Sequence, residues 1–139
     1  MTPEERISLI RSIYDPKIGF DMEKFYAHAA KDMVFTRPPF PPVVGIEANR
    51  QSDEALLAAF SNYEVTIEDI FEAEDRVVML YIWKGVHTGP LPTMGVPATG
   101  KAVECRGCSV FYFKDENVAK AIDYFDLFGF MQQLGLVPA

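Results

Sequence analysis

Asp123 lies in Ala121-Ile122-Asp123-Tyr124-Phe125, a carboxylate inside an otherwise apolar stretch. Such neighbours strip water from the carboxylate, and desolvation raises a carboxyl pKa toward the range useful for general acid–base work. Its expected face-mates, Ala119 and Ala121, are small and leave room for a ligand beside it. The competing reading is a buried Asp satisfied by backbone or arginine donors. Asp126 stands where the strand gives way to a helix. Its simplest role is the N-cap of that helix; a second pocket carboxylate is the alternative. His87 closes the run Tyr81-Ile82-Trp83-Lys84-Gly85-Val86-His87. Period two puts Tyr81, Trp83, Gly85 and His87 on one face. If that face is a cavity, it offers aromatic walls, a gap at Gly85 and an imidazole at the rim. Otherwise His87 is a surface or packing residue. His28 sits in a polar helical stretch and reads as surface.

Other chemistries lack their parts. No Gly-rich phosphate loop follows a strand and opens a helix, and no His cluster has metal-ligand spacing. Ser109 has no base at a recognisable spacing to make it a nucleophile. Cys105-Arg106-Gly107-Cys108 has the C-x-x-C spacing of redox and zinc motifs. It lies in a strand pattern with no second pair, so two reduced thiols are the better reading.

The chain that must position these groups has 139 residues, which suits a single domain over 1–139. Its net charge of −7 repels phosphate backbones and argues against nucleic acid as a partner. Eleven Phe and six Tyr mean either a phenyl-rich core or an aromatic-lined pocket for a planar apolar ligand. No run approaches the roughly 18 apolar residues of a membrane span. The opening MTPEERISLI is acidic where a secretion signal would be basic, so the cytoplasm is the expected location.

Thr2-Pro3-Glu4-Glu5 reads as a capping box, followed by Ile7, Ile10, Ile13 and Tyr14 on one helical face. Asp15-Pro16-Lys17-Ile18-Gly19 ends that helix. A second helix starts at Asp21, and a short strand covers Met33 to Thr36. Pro38-Pro39-Phe40-Pro41-Pro42 is a stiff loop, a rim of this domain rather than a ligand for another. Ile46 to Phe60 is a third helix. Period-two patterns then give strands near 63–67, 77–87, 102–113 and 118–125, and a last helix covers 127–134. The Gly- and Pro-rich stretch 88–100 is a lid or mouth loop. The order ααβαββββα predicts an α+β fold, an antiparallel curved sheet with helices on one face around a cavity.

The C-terminal half carries a resemblance. His87-Thr88-Gly89, Met94-Gly95-Val96-Pro97-Ala98-Thr99-Gly100, and the run from Asp123 through Asp126 to Gln132-Gln133-Leu134-Gly135 resemble the SnoaL-like polyketide cyclases. These are also called ester cyclases, within the NTF2-like superfamily. The resemblance is strongest over about residues 77–136 and extends to element order elsewhere. It implies an NTF2-like α+β barrel, a curved antiparallel sheet wrapped by three helices around a conical pocket, and a homodimer through the sheet. It also implies intramolecular aldol ring closure of a polyketide-like carbonyl compound, with no cofactor, no metal and Asp123 as general acid/base. His87 is the second catalytic candidate. Tyr14, Phe35, Tyr81, Trp83, Ser109, Phe125 and Asp126 are candidates for binding an apolar or aromatic substrate. The chain carries Thr36-Arg37 and Ser109 where members usually have His. Two other readings remain open: an isomerase, hydratase or epoxide-opening enzyme using the same Asp, and a non-catalytic small-molecule binder.

Overall fold

The first helix, α1 (Pro3–Ile13), starts where the capping box predicts, with Thr2 Oγ1 accepting the Glu5 N–H at 3.1 Å. The computed structural model describes residues 1–17, 19–91 and 94–138. Ile18 of the α1 terminating segment, and Pro92 and Thr93 of the 88–100 loop, lie outside the described residues. Asp21 caps α2 (Met22–Ala27) through the Lys24 N–H. His28 ends it partly buried, its Nδ1 3.0 Å from the Lys24 carbonyl. The remaining elements are β1 (Ala29–Thr36), β2 (Val43–Val44), α3 (Ile46–Ala59), β3 (Phe60–Ala73), β4 (Arg76–His87), β5 (Ala102–Lys114), β6 (Asn117–Phe125) and α4 (Leu127–Gln133). No helix among the described residues is long and apolar enough to cross a membrane.

The strands form one sheet in the order β2-β1-β6-β5-β4-β3. β3 to β6 are an antiparallel meander, as the period-two patterns predict. Two expectations need correction. The sheet is mixed rather than antiparallel, because β1 runs parallel to β6. No hairpin joins these two strands, so no turn fixes their relative direction. Second, the resemblance implies three wrapping helices where the structure has four, as the order ααβαββββα gives. β1 also begins four residues before Met33. Lys31 and Asp32 hide that start, since both are exposed and break the apolar pattern.

Register shifts in β3 opposite β4, and in β5 opposite β6, mark bulges, and bulges bend a sheet. The inward face carries Val77, Met79, Tyr81 and Trp83 from β4 and Cys105, Ser109 and Phe111 from β5. Ile10 and Ile13 of α1, Phe25 of α2 and Met33 of β1 fill the core with almost no exposure. The edge-to-face pair Phe25–Phe111 joins α2 to the sheet. α4 opens on Asp126, whose Oδ1 accepts the Gly129 N–H at 2.9 Å. Capping is therefore its observed contact.

Candidate active site

Three strands line up Met79, Ser109 and Asp123 across the inward face. That register puts the Ser109 hydroxyl beside the Asp123 carboxylate, donating to Oδ1 at 3.0 Å. The Tyr81 hydroxyl also donates to Oδ1, at 2.5 Å. It arrives by crossing Gly107, its partner in register. A Cβ at 107 would collide with the Tyr81 ring, 2.5 Å from Cζ, so only glycine leaves the phenol this path. On the other side, Thr36 pairs with Ile122 in the parallel ladder, which sets Arg37 level with Asp123. Arg37 Nε donates to Oδ2 at 2.8 Å. A guanidinium only donates, so Oδ2 meets it as an acceptor.

The electrostatics follow from burial and from this pair. Burial pulls the Arg37 pKa down, but Asp123 outweighs it and the net shift is upward. Burial, followed by the Asp123 charge, pushes the Tyr81 phenol far up, so it stays a proton donor. The Asp123 side chain is 7% exposed and Arg37 28%, so the pair stands at the inner edge of solvent access.

A cavity of about 460 Å³ opens onto this carboxylate. Phe25, Phe35, Tyr63, Trp83, Phe125 and Phe130 form much of its wall. Burial pushes the Tyr14 and Tyr63 phenols up as well, so both present neutral hydroxyls. The exposed Pro41 and Pro42 line the cavity, while Ser109 and Asp123 are buried. Exposed prolines thus border the cavity, and the buried carboxylate sits in its wall. Phe40, Leu91 and Met94 also reach the cavity, so the loops expected as rim and mouth both border it. α3 contributes Asn49, Ser52, Asp53, Leu56 and Leu57, a stripe at helical spacing. The Tyr26 hydroxyl hydrogen-bonds Asp53 Oδ2. Burial raises the Asp53 carboxyl above its ordinary value, and Tyr26, Arg37 and Arg50 offset only part of that rise.

Of the residues singled out in the sequence, Tyr14, Phe35, Tyr81, Trp83, Ser109, Asp123 and Phe125 meet in this cavity. Asp123 has the arginine donor that the structural reading expects, and its carboxylate also borders the cavity. His87 and Asp126 are not among the lining residues. His87 is fully buried rather than at a rim. The chain returns past the end of β4, where Lys101 accepts the His87 N–H through its carbonyl. There Thr99 occupies the His87 Nδ1 through its hydroxyl at 2.9 Å and its N–H at 3.2 Å. Phe60 packs on the imidazole at 5.3 Å and also fills the expected gap at Gly85, where a Cβ would lie 3.2 Å from the Phe60 Cβ. Ala119 and Ala121 do not open space beside Asp123. Ala119 falls at the bulge opposite Tyr112 and Phe113, and Ala121 is buried in register with Phe111 and Phe35. The two cysteines are free thiols, and burial pushes Cys105 up to about 12. Among the described residues no cluster of three His, Cys, Asp or Glu is arranged to hold a metal. Arg37 and Asp53 were not among the candidates. A lone Arg before Pro38 carries no local sign of its partner, whereas Asp53 was findable from its place in the α3 stripe.

The family model described as SnoaL-like polyketide cyclase matches residues 18–134. Among solved structures, a SnoaL-like protein from Jannaschia sp. CCS1 is similar over 99% of this chain and 98% of its own, at 21% identity and a TM-score of 0.87. AclR from Streptomyces galilaeus is 23% identical over 99% of this chain and 85% of its own, with a TM-score of 0.84. An LEH-like epoxide hydrolase from M. tuberculosis is 17% identical over 95% of this chain and 90% of its own, with a TM-score of 0.72. At these identities the likeness carries the fold, the NTF2-like α+β architecture. No curated protein sequence matches the chain.

The Tyr81–Gly107 crossing makes a prediction about stability. Tyr81→Phe removes a hydrogen bond to a carboxylate and is expected to cost about 1.5–3 kcal/mol. Gly107→Ala displaces the same ring and is expected to cost about 1–3 kcal/mol by overpacking. Both break one contact, so the double variant is expected to lose less than the sum, as read by urea denaturation of the four proteins. Strict additivity would show that Gly107 does not serve the Tyr81 contact.

Proposed function

We propose that this chain, which belongs to the SnoaL-like polyketide cyclase family, closes a ring on a polyketide-like carbonyl substrate with Asp123 as its proton acceptor. The observation that carries the reading is a donor-ringed, buried carboxylate in the wall of an aromatic cavity. A cavity of about 460 Å³ falls within the roughly 300–1,000 Å³ usual for small-molecule sites. Aromatic walls suit a planar, largely apolar molecule.

The chemistry starts at a methylene activated by flanking carbonyls. Asp123 takes its proton, and the charge passes to an enolate oxygen. The guanidinium of Arg37 is bonded through Nε, and its terminal nitrogens supply donors beside the reacting carbon. Preorganised donors of this kind lower the energy of a developing oxyanion. Tyr81 and Ser109 fix the carboxylate through Oδ1 and leave it one orientation. The enolate carbon attacks the second carbonyl, and its oxygen is protonated. Arg37 and Ser109 stand where family members usually have His, so here arginine and serine surround the carboxylate.

A second reading uses the same pair to orient water for epoxide opening, favoured by the carboxylate–guanidinium geometry and by the LEH-like epoxide hydrolase among the structural neighbours. The two readings differ in mass balance. Ring closure gives an isomer of the substrate, whereas epoxide opening adds one water.

The outer sheet face supports a homodimer. Leu80, Cys108 and Tyr124 are aligned in register across β4, β5 and β6. Leu80 and Tyr124 of this row are exposed, and an exposed apolar patch of this kind marks an interaction surface.

Two outcomes are expected. With aryl-substituted 1,3-dicarbonyl ketones as probes, Asp123→Asn should lower kcat for ring closure by roughly 100- to 10,000-fold with little change in KM. Closure that persists in this variant would remove Asp123 from the chemistry, and a wild type that leaves these probes unclosed but adds one water to an aryl epoxide such as styrene oxide would favour the second reading. In light scattering, the wild type should have the mass of a dimer and the Leu80→Lys, Tyr124→Lys double variant that of a monomer. Equal masses would place any self-association elsewhere.

A further inference from the structure

The cavity holds a second carboxyl group that the ring-closure scheme above leaves idle. On α3, Asn49, Ser52 and Asp53 interrupt otherwise apolar walls. Asn49 is occupied: its Nδ2 donates to the carbonyls of Val43 at 3.1 Å and Gly45 at 2.7 Å, which fixes the rim. Ser52 is exposed. Asp53 differs from both. Its Oδ2 accepts the Tyr26 hydroxyl, and among the described residues its Oδ1 has no hydrogen-bond partner. One wall of the cavity therefore carries Asp123 with three donors, and another carries Asp53 with one.

We propose that Asp53 is a second catalytic residue of this cavity, the proton donor to the oxygen on which charge develops, working opposite the proton acceptor Asp123. The inference rests on the ring-closure reading above and extends it.

The environments of the two groups are opposed. Asp123 faces a guanidinium that only donates, together with two hydroxyl donors. Asp53 has a single neutral hydroxyl donor, and burial favours its protonated form. The charged and titratable groups around Asp53 are Tyr26 of α2, Arg50 and Glu54 of α3, Arg37 after β1, and Tyr14 at the end of α1 and Tyr63 of β3, whose phenols stay neutral. Arg50 is drawn away, since it ion-pairs with Glu23 and stacks over the Tyr26 ring. Arg37 is committed to Asp123. One carboxyl ringed by three donors and one with a single neutral donor and a free oxygen suit the separate roles of base and acid.

The reaction has a use for two stations. In ring closure the carbon that loses a proton and the oxygen that gains one are different atoms. Asp123 takes the C–H proton, and that electron pair forms the new C–C bond. The carbonyl π pair moves to oxygen, and the oxygen takes the proton of Asp53. Product and substrate are isomers. Asp123 is left protonated and Asp53 ionised, and solvent at the opening returns both to their starting states with no net proton change. Tyr26 acts as a positioning residue that holds Asp53 through Oδ2.

The test uses 1-phenyloctane-1,3,7-trione, whose C2 methylene lies between two carbonyls and can close a six-membered ring on the C7 carbonyl. In D2O, deuterium uptake at the α-carbons reports proton removal, and ring-closed product reports the whole reaction. In Asp53→Asn the ratio of closure to exchange should fall by roughly 100-fold, the usual contribution of a general acid. In Asp123→Asn both should be lost. An unchanged ratio in Asp53→Asn overturns this proposal and leaves the Asp123 reading intact. Absence of exchange by the wild type overturns the Asp123 reading and this one with it.

A substrate-free measurement checks the protonation state of Asp53. A carboxyl whose folded-state pKa lies above its unfolded one contributes stability that is complete in acid and is lost as pH rises through the folded value. The amide introduced by Asp53→Asn mimics the neutral acid. The urea midpoint of Asp53→Asn should therefore match the wild type in acid and exceed it increasingly as pH rises. Tyr26→Phe removes a donor to the carboxylate, so its stability should fall further below the wild type over the same range. A gap between Asp53→Asn and wild type that does not change with pH would overturn the assignment of Asp53 as a protonated donor.

Discussion

The ion pair between Arg37 and Asp123 is the contact around which the rest of this structure is arranged. A carboxylate in an apolar strand is tolerable only if it is paired and hydrogen-bonded. Meeting that need ties together parts of the chain far apart in sequence. β1 must lie parallel to β6 so that Arg37 arrives level with Asp123. β5 must place Ser109 opposite it. β4 must send Tyr81 over a position with no side chain, which is Gly107. In fully buried pairs, removing one partner costs about 3–5 kcal/mol; the partial exposure of Arg37 reduces that here. The same donors that satisfy the carboxylate also fix the direction in which it faces the cavity.

Much of the scaffold is legible in the sequence because its signals are local. The Thr2 capping box, the Asp21 and Asp126 caps and the period-two runs of the four long strands need no distant information. Asp123 is legible for the same reason, as a charge among apolar neighbours. What is not legible depends on contacts between distant segments. Nothing near β1 states that it runs parallel to β6, and Lys31 and Asp32 conceal where it begins. His87 has the right period for the inward face, but only the chain that returns through Thr99 determines that its ring is enclosed. Gly85 offers a gap in sequence and a seat for Phe60 in space. Arg37 shows its role only when Asp123, 86 residues away, is beside it.

Arg37 and Ser109 are both donors to Asp123, and they differ in charge and reach. A guanidinium holds its proton under all ordinary conditions, whereas an imidazole can give it up. In the ring closure proposed above, proton traffic falls to the carboxyl groups and the arginine supplies fixed charge. The cavity walls are largely aromatic, and α3 adds a second carboxyl group, Asp53, to its lining.

The central claim is that Asp123 removes a proton from a bound carbonyl compound, and the ultraviolet spectrum of a bound 1,3-diketone tests it directly. Dibenzoylmethane absorbs at longer wavelength as its enolate than as its neutral form. Bound to the wild type near neutral pH it should show the enolate band. Bound to Asp123→Asn it should show the neutral band with comparable occupancy. The same enolate band in both proteins, or a neutral ligand in both, would contradict the account.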